Sequence, residues 1–151
     1  MKRLGATFVA MLMIVMFSIT SFAGTDFSDN WRYDQSSYTW YYYENGAPAT
    51  NAWVHDHGYW YLLDDKGKMV TGIVKSEGRI YMMDVWEGTG HYGRMLTNGE
   101  HQMIDIVAEV SGPYEGALSA ETVSEILSDS YLRMLYDSAP DVTGTRHIEA
   151  E

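Results

Sequence analysis

Trp40-Tyr41 recurs twenty positions later as Trp60-Tyr61 and again as Ile80-Tyr81, and the positions upstream of each pair run Tyr33, Trp53 and Ile73. Repetition at one period constrains the fold more than any single residue, because each unit is a supersecondary element that must bury its face against the next. The most complete unit runs from Trp53 to Gly72. Trp53-Val54 reads as a short strand, His55-Asp56-His57-Gly58 as a turn, Tyr59 to Leu63 as an aromatic and aliphatic strand, and Asp64-Asp65-Lys66-Gly67 as a second turn. Hairpins this short are marginal alone. The pattern therefore predicts a mainly β chain, a stacked β-hairpin solenoid of about three units of roughly twenty residues, with aromatic side chains between successive hairpins.

The units decay unequally. The first keeps its aromatic strand, Trp40-Tyr41-Tyr42-Tyr43, and an Asn45-Gly46 turn, but has Pro48 or Ala49 where the second unit has Met69. In the third, Gly93-Arg94-Met95 arrives about six residues late, so Asp84 to His91, with Trp86, is expected to protrude as a loop. Beyond Gly99 the repeat signal stops.

Met103 to Val110 alternates acidic and apolar residues as a half-buried strand does, and Ser111 to Gly116 has turn composition. From Ser119 to Asp137, Val123, Ile126, Leu127, Tyr131, Met134 and Leu135 fall at helical spacing, which predicts one amphipathic helix, with a capping box at Thr122-Val-Ser-Glu125. Its apolar face is expected to cap the open end of the array. Residues 140–151 lack periodicity and are expected to be disordered.

At the other end, Lys2 and Arg3 precede an apolar run from Leu4 to Phe22, and Ser21-Phe22-Ala23 offers small residues for cleavage before Gly24. This predicts an export signal over residues 1–23, with an uncleaved anchor as the alternative, and places the protein as secreted or at a cell surface. The expected organisation continues with a linker at 24–30, the repeat array at 31–99, a strand and helix at 100–139 and the tail. The chain has no cysteine, so stability rests on packing. Its net charge of −11, with 21 acidic residues against 10 basic ones, argues against nucleic acid, which needs clustered Lys and Arg.

The residues Trp53, Gly58, Trp60-Tyr61 and Gly67-x-Met69-x-Thr71-Gly72 together resemble the choline-binding, or cell-wall-binding, repeat family of Gram-positive bacteria, which also includes glucan-binding proteins. That resemblance implies a secreted binding module that is not an enzyme and needs no cofactor. In the family, ligand lies between hairpins, where two aromatics of one unit and one of the next form a cage. A quaternary ammonium cannot hydrogen-bond, so it is held by ring faces through cation-π attraction. Carried over position by position, the resemblance places one cage at Trp53, Trp60 and Tyr81 and a second at Tyr33, Trp40 and Tyr61, and leaves the third junction, with Ile73 and Ile80, without one. The implied partner is choline-decorated teichoic acid or another wall polysaccharide.

Other chemistry finds little support. His55-Asp56-His57 has a spacing that two metal ligands could use, but it occupies a turn and no third histidine is fixed by spacing. No nucleophile elbow, paired-carboxylate motif or phosphate loop is present. Two alternatives stay open: glucan recognition by aromatic stacking, and an interaction protein whose repeats have lost their ligand.

Overall fold

The computed structural model describes residues 27–86, 90–102, 104–106 and 116–150. The expected export signal, and most of the strand and turn expected over 103–116, lie outside the described residues. Within them the protein is mainly β, built of small sheets with two helices.

Three hairpins follow one another: β1 (Trp31–Asp34) with β2 (Thr39–Glu44), β4 (Ala52–Asp56) with β5 (Tyr59–Leu63), and β6 (Gly72–Ser76) with β7 (Arg79–Met83). A two-residue strand, β3 (Ala47–Pro48), adds to the first. The turns explain why the chain reverses where it does. His57-Gly58 has φ of 49° and 86°, and Glu77-Gly78 has 48° and 75°. Positive φ at both central residues suits the right-handed twist of a two-residue hairpin, and glycine takes it without a Cβ penalty.

The register settles which positions are equivalent. Trp53 pairs with Leu62, and His55 with Trp60. In the third hairpin the same places are Ile73 with Met82 and Lys75 with Ile80. In the first they are Trp31 with Tyr42 and Tyr33 with Trp40. Trp31, rather than Tyr33, is therefore the counterpart of Trp53. The turn after β1 is longer than the other two, so a constant spacing lands two residues past the equivalent position.

Successive hairpins are joined by a recurring backbone bond. Met69 N–H donates to Trp40 O at 2.9 Å, Met95 N–H to Trp60 O at 2.7 Å, and Leu118 N–H to Ile80 O at 2.8 Å. The residues two positions earlier, Gly67, Gly93 and Gly116, each press on the preceding unit. A Cβ on Gly67 would meet Ala49 O at 2.9 Å and the Pro48 side chain at 3.2 Å; on Gly93 it would meet Met69 and on Gly116 Met95, both under 3 Å. Pro48 thus occupies the Met69 position, pairing with Tyr43 as Met69 does with Leu63. Gly116-Ala117-Leu118 ends a fourth, eroded unit that also contains the short hairpin of β8 (His101–Gln102) and β9 (Ile104–Asp105). The expectation that the repeat stops at Gly99 is corrected accordingly: among the described residues the backbone link between units persists past it.

Of the loop expected from Asp84 to His91, residues 87–89 lie outside the described residues. Asp64 N–H bonds Lys68 O at 2.9 Å, and Asp84 N–H bonds Arg94 O at 2.7 Å, so the same link is closed around a longer loop. Trp86 on that loop is exposed.

The single helix expected from Ser119 to Asp137 is two: α1 (Ala120–Ser128) and α2 (Ser130–Asp137). Asp129 breaks it. Its backbone is extended, and its carboxylate accepts from Tyr131 N–H and Leu132 N–H at 2.9 Å, starting the second helix. The first cap is Ser119, whose Oγ accepts from Thr122 N–H at 3.2 Å, so the expected box at Thr122 is displaced by three residues. Ile126 and Leu132 enter a cluster with Ile73, Met82, Leu96 and Ile106 and cover the third hairpin.

Residues after Pro140 are ordered, contrary to expectation. β10 (Asp141–Val142) pairs parallel with β6, and β11 (Arg146–Glu149) parallel with β4. Val142 and Ile148 are buried in the cores of the second and first junctions. Edge strands with unpaired backbone groups recruit such a segment, which needs few apolar residues of its own. The expected linker is also packed in part: Phe27 lies against Trp31.

Candidate functional site

Side chains alternate across a strand, so directly paired residues and those two apart share a face. Trp53 and Trp60 lie on one face of the second hairpin and Tyr61 on the other. Face meets opposite face at each junction. Trp53 touches Tyr81 of the third hairpin edge-on, with centroids 4.9 Å apart and an interplanar angle of 64°. Trp31 touches Tyr61 in the same way, at 5.3 Å and 68°. The same pair of walls is thus built twice, from residues equivalent in register.

The third wall differs in exposure. Trp53 is 0% and Tyr81 1% exposed, while Trp60 is half-buried at the margin of their cluster. Trp60 stacks on His55 at 4.6 Å and meets His147 of β11 edge-on at 5.5 Å. Of the three residues at this junction it is the one whose face reaches the surface. Trp40, its counterpart, is likewise half-buried.

Of the residues expected in the other cage, Trp40 and Tyr61 are brought together, and Tyr33 is not a wall equivalent to Trp53. It is the cross-strand partner of Trp40, 5.3 Å away, in the place that His55 holds against Trp60. The first junction is therefore walled by Trp31, Trp40 and Tyr61. All three contact Phe27, at centroid separations of 4.9, 4.8 and 5.2 Å.

A buried carboxylate distinguishes this junction. Asp56, 3% exposed, accepts at Oδ2 from Trp31 Nε1–H at 2.8 Å and from Ser28 N–H at 2.9 Å, and Oδ1 lies 2.6 Å from His57 Nδ1. Burial, with the nearby Asp56 charge, pushes the Tyr61 hydroxyl well above the ordinary tyrosine value, so it stays neutral. At the second junction the position of Asp56 is taken by Ser76, which carries no charge.

No family model matches the chain, and no curated protein matches it. Solved structures do. One is choline-binding protein F from Streptococcus pneumoniae, 24% identical, covering 61% of this chain and 28% of that one, with a TM-score of 0.46. The modular Cpl-1 endolysin complexed with a peptidoglycan analogue is 33% identical over 45% of this chain and 18% of its own, with a TM-score of 0.38. The pneumococcal cell wall endolysin from phage Cp-1 complexed with choline is 25% identical over 50% of this chain and 26% of its own, with a TM-score of 0.35. The solved neighbours are choline-binding proteins and an endolysin. This chain spans less than a third of the length of each.

The imidazoles weighed for metal are engaged separately. His55 Nδ1 lies 2.8 Å from Glu149 Oε2, and His57 Nδ1 binds Asp56. Among the described residues no group of three or more His, Cys, Asp or Glu converges. The third junction is filled by Ile73, Ile80, Leu96, Leu118 and the helices, with Ile73 and Ile80 where the second junction has Trp53 and Trp60. Constant spacing does not select Trp31, Phe27 or Asp56, which the structure brings together at the first junction. An allowance for turn length would have found Trp31, since a tryptophan stands two residues before the position that the constant spacing selects.

Proposed function

We propose that the protein is a non-catalytic binding module that attaches to the bacterial cell wall through the aromatic walls between its hairpins, as a secreted or surface-located protein. The observation that carries this reading is the duplicated arrangement: Trp53 against Tyr81 and Trp31 against Tyr61, each beside a half-buried tryptophan, Trp60 or Trp40. Stacking repeats the buried pair with the hairpins; what it leaves over at both junctions is the exposed part of a third ring, on which a ligand can close.

The ligand class is a quaternary ammonium of the choline type, carried on teichoic acid or another wall polymer. Methyl groups around a cation fill apolar space against ring faces, and the ring quadrupoles attract the charge. The hairpins are read as a solenoid in which each junction offers one site. With two junctions so equipped, attachment rests on avidity across few weak contacts.

Trp60→Ala tests this. Removing the accessible wall is expected to weaken choline binding roughly tenfold, the scale of about 1 to 2 kcal/mol for a desolvated cation-π contact. Tryptophan fluorescence titrated with choline, then with purified wall polysaccharide, reads the change, and Ile80→Ala at the aliphatic junction serves as control. Unchanged binding by folded Trp60→Ala removes this junction from the reading. If wall polysaccharide without choline binds and choline does not, sugar stacking on the same rings replaces the cage.

A further inference from the structure

Phe27 stands where a ligand of the first junction would stand. Its ring is stacked on Trp31, with centroids 4.9 Å apart and planes 24° from parallel, and it meets Trp40 and Tyr61 edge-on at 72° and 77°. Three rings within about van der Waals reach of one small apolar group is the geometry that a cage offers a guest. We propose that Phe27 is an internal guest of the Trp31, Trp40 and Tyr61 cage, so that the segment before β1 masks this site and an external quaternary ammonium must displace it. The inference rests on the binding reading above and adds a competitor at one of its two junctions.

The segment is held in the masking position by more than the ring. Trp31 N–H donates to Ser28 O at 3.2 Å, closing a turn that returns Phe27 onto the first tryptophan. Ser28 N–H is fastened to Asp56 Oδ2, which also receives the Trp31 indole N–H. One carboxylate of the second hairpin therefore fixes both the guest's backbone and one wall of its cage. The hold is shallow on the other side: Phe27 is half-buried, and only Ser28 to Asn30 link it to β1. A guest tethered this closely competes at high effective concentration. Asp56 also supplies negative charge beside the first cage, which a cation could use once the ring has moved aside.

Masking lowers the apparent affinity of a site by the fraction of molecules in which it is open. The experiment is calorimetric titration of the full-length protein and of Phe27→Ala with choline chloride. The parent is expected to show no strong binding at the first junction. Phe27→Ala is expected to gain an additional site at least about tenfold tighter than the first junction of the parent, and Phe27→Ala combined with Trp40→Ala is expected to lose it. Phe27→Leu keeps apolar bulk and is expected to fall between. Acrylamide quenching of tryptophan emission should rise in Phe27→Ala with no ligand present, as Trp31 and Trp40 become accessible.

If the parent binds choline and Phe27→Ala shows the same stoichiometry, affinity and quenching, masking is overturned and the binding reading stands. If neither protein binds choline, the quaternary-ammonium reading is overturned and the competition falls with it. Circular dichroism shows whether each variant is folded, and should Phe27→Ala unfold, an unchanged titration of folded Phe27→Leu overturns the masking.

Discussion

Asp56 shows how much one residue can join. Its carboxylate receives Ser28 N–H and the Trp31 indole and contacts His57, while its backbone ends β4 opposite Tyr59. Asp56→Ala leaves two buried donors without their acceptor, which costs about 1 to 3 kcal/mol. Thermal denaturation is expected to show a lower midpoint for Asp56→Ala, with Asp56→Asn losing less because one acceptor oxygen remains; an unchanged midpoint would show that water satisfies both donors. The same residue marks the limit of reading a sequence by spacing. Asp56 sits among turn formers and looks like one, and its partner Trp31 lies 25 positions away, outside a constant twenty-residue frame. Constant spacing brings Trp53, Trp60 and Tyr81 to one junction because their turn is short, and selects Tyr33 in place of Trp31 because four residues, Gln35 to Tyr38, separate β1 from β2 where two suffice in the later hairpins.

Among the elements, the aromatic hairpins follow from the sequence and the terminal strands do not. β4 to β7 each carry runs of apolar and aromatic residues bounded by glycine. β10 and β11 bury one apolar side chain apiece, Val142 and Ile148, and owe their form to open backbone on β6 and β4. Such strands have no period to detect. Ile148→Ala is expected to cost about 2 to 5 kcal/mol by leaving a cavity against Val54 and Tyr61, and to be read as a lowered urea midpoint. A value near zero would mean that the backbone ladder alone holds β11. The bonds that Glu100 makes just after the third unit offer a pH test. Burial works against ionised Glu100, but its bonds with Arg94 Nη2 at 2.6 Å and Thr97 N–H at 2.6 Å win, and its carboxyl sits below the ordinary glutamate value. A lowered folded value stabilises above the unfolded pKa of about 4.3 and is lost as pH falls through the lowered one. Glu100→Gln is accordingly expected to be less stable than the parent at neutral pH and to converge with it in acid; equal pH profiles would remove Glu100 from the acid response.

For the whole molecule, the tail opposes the order in which the hairpins are strung. It reaches the third hairpin first, where Glu77 holds Thr145 N–H at 2.9 Å, then the second through β11, and Arg146 pairs with Glu44 of the first. A linear array with nearest-neighbour contacts unfolds piecemeal. A strap from last to first couples the units, so calorimetry is expected to give one transition with equal calorimetric and van't Hoff enthalpies, and two or more in a chain ending at Pro140. There is a cost in time. Residues are made from the amino end, and β4 and β6 emerge many residues before β11 and β10. Two strand edges therefore stand open to any other extended chain until residues 141–149 have been made.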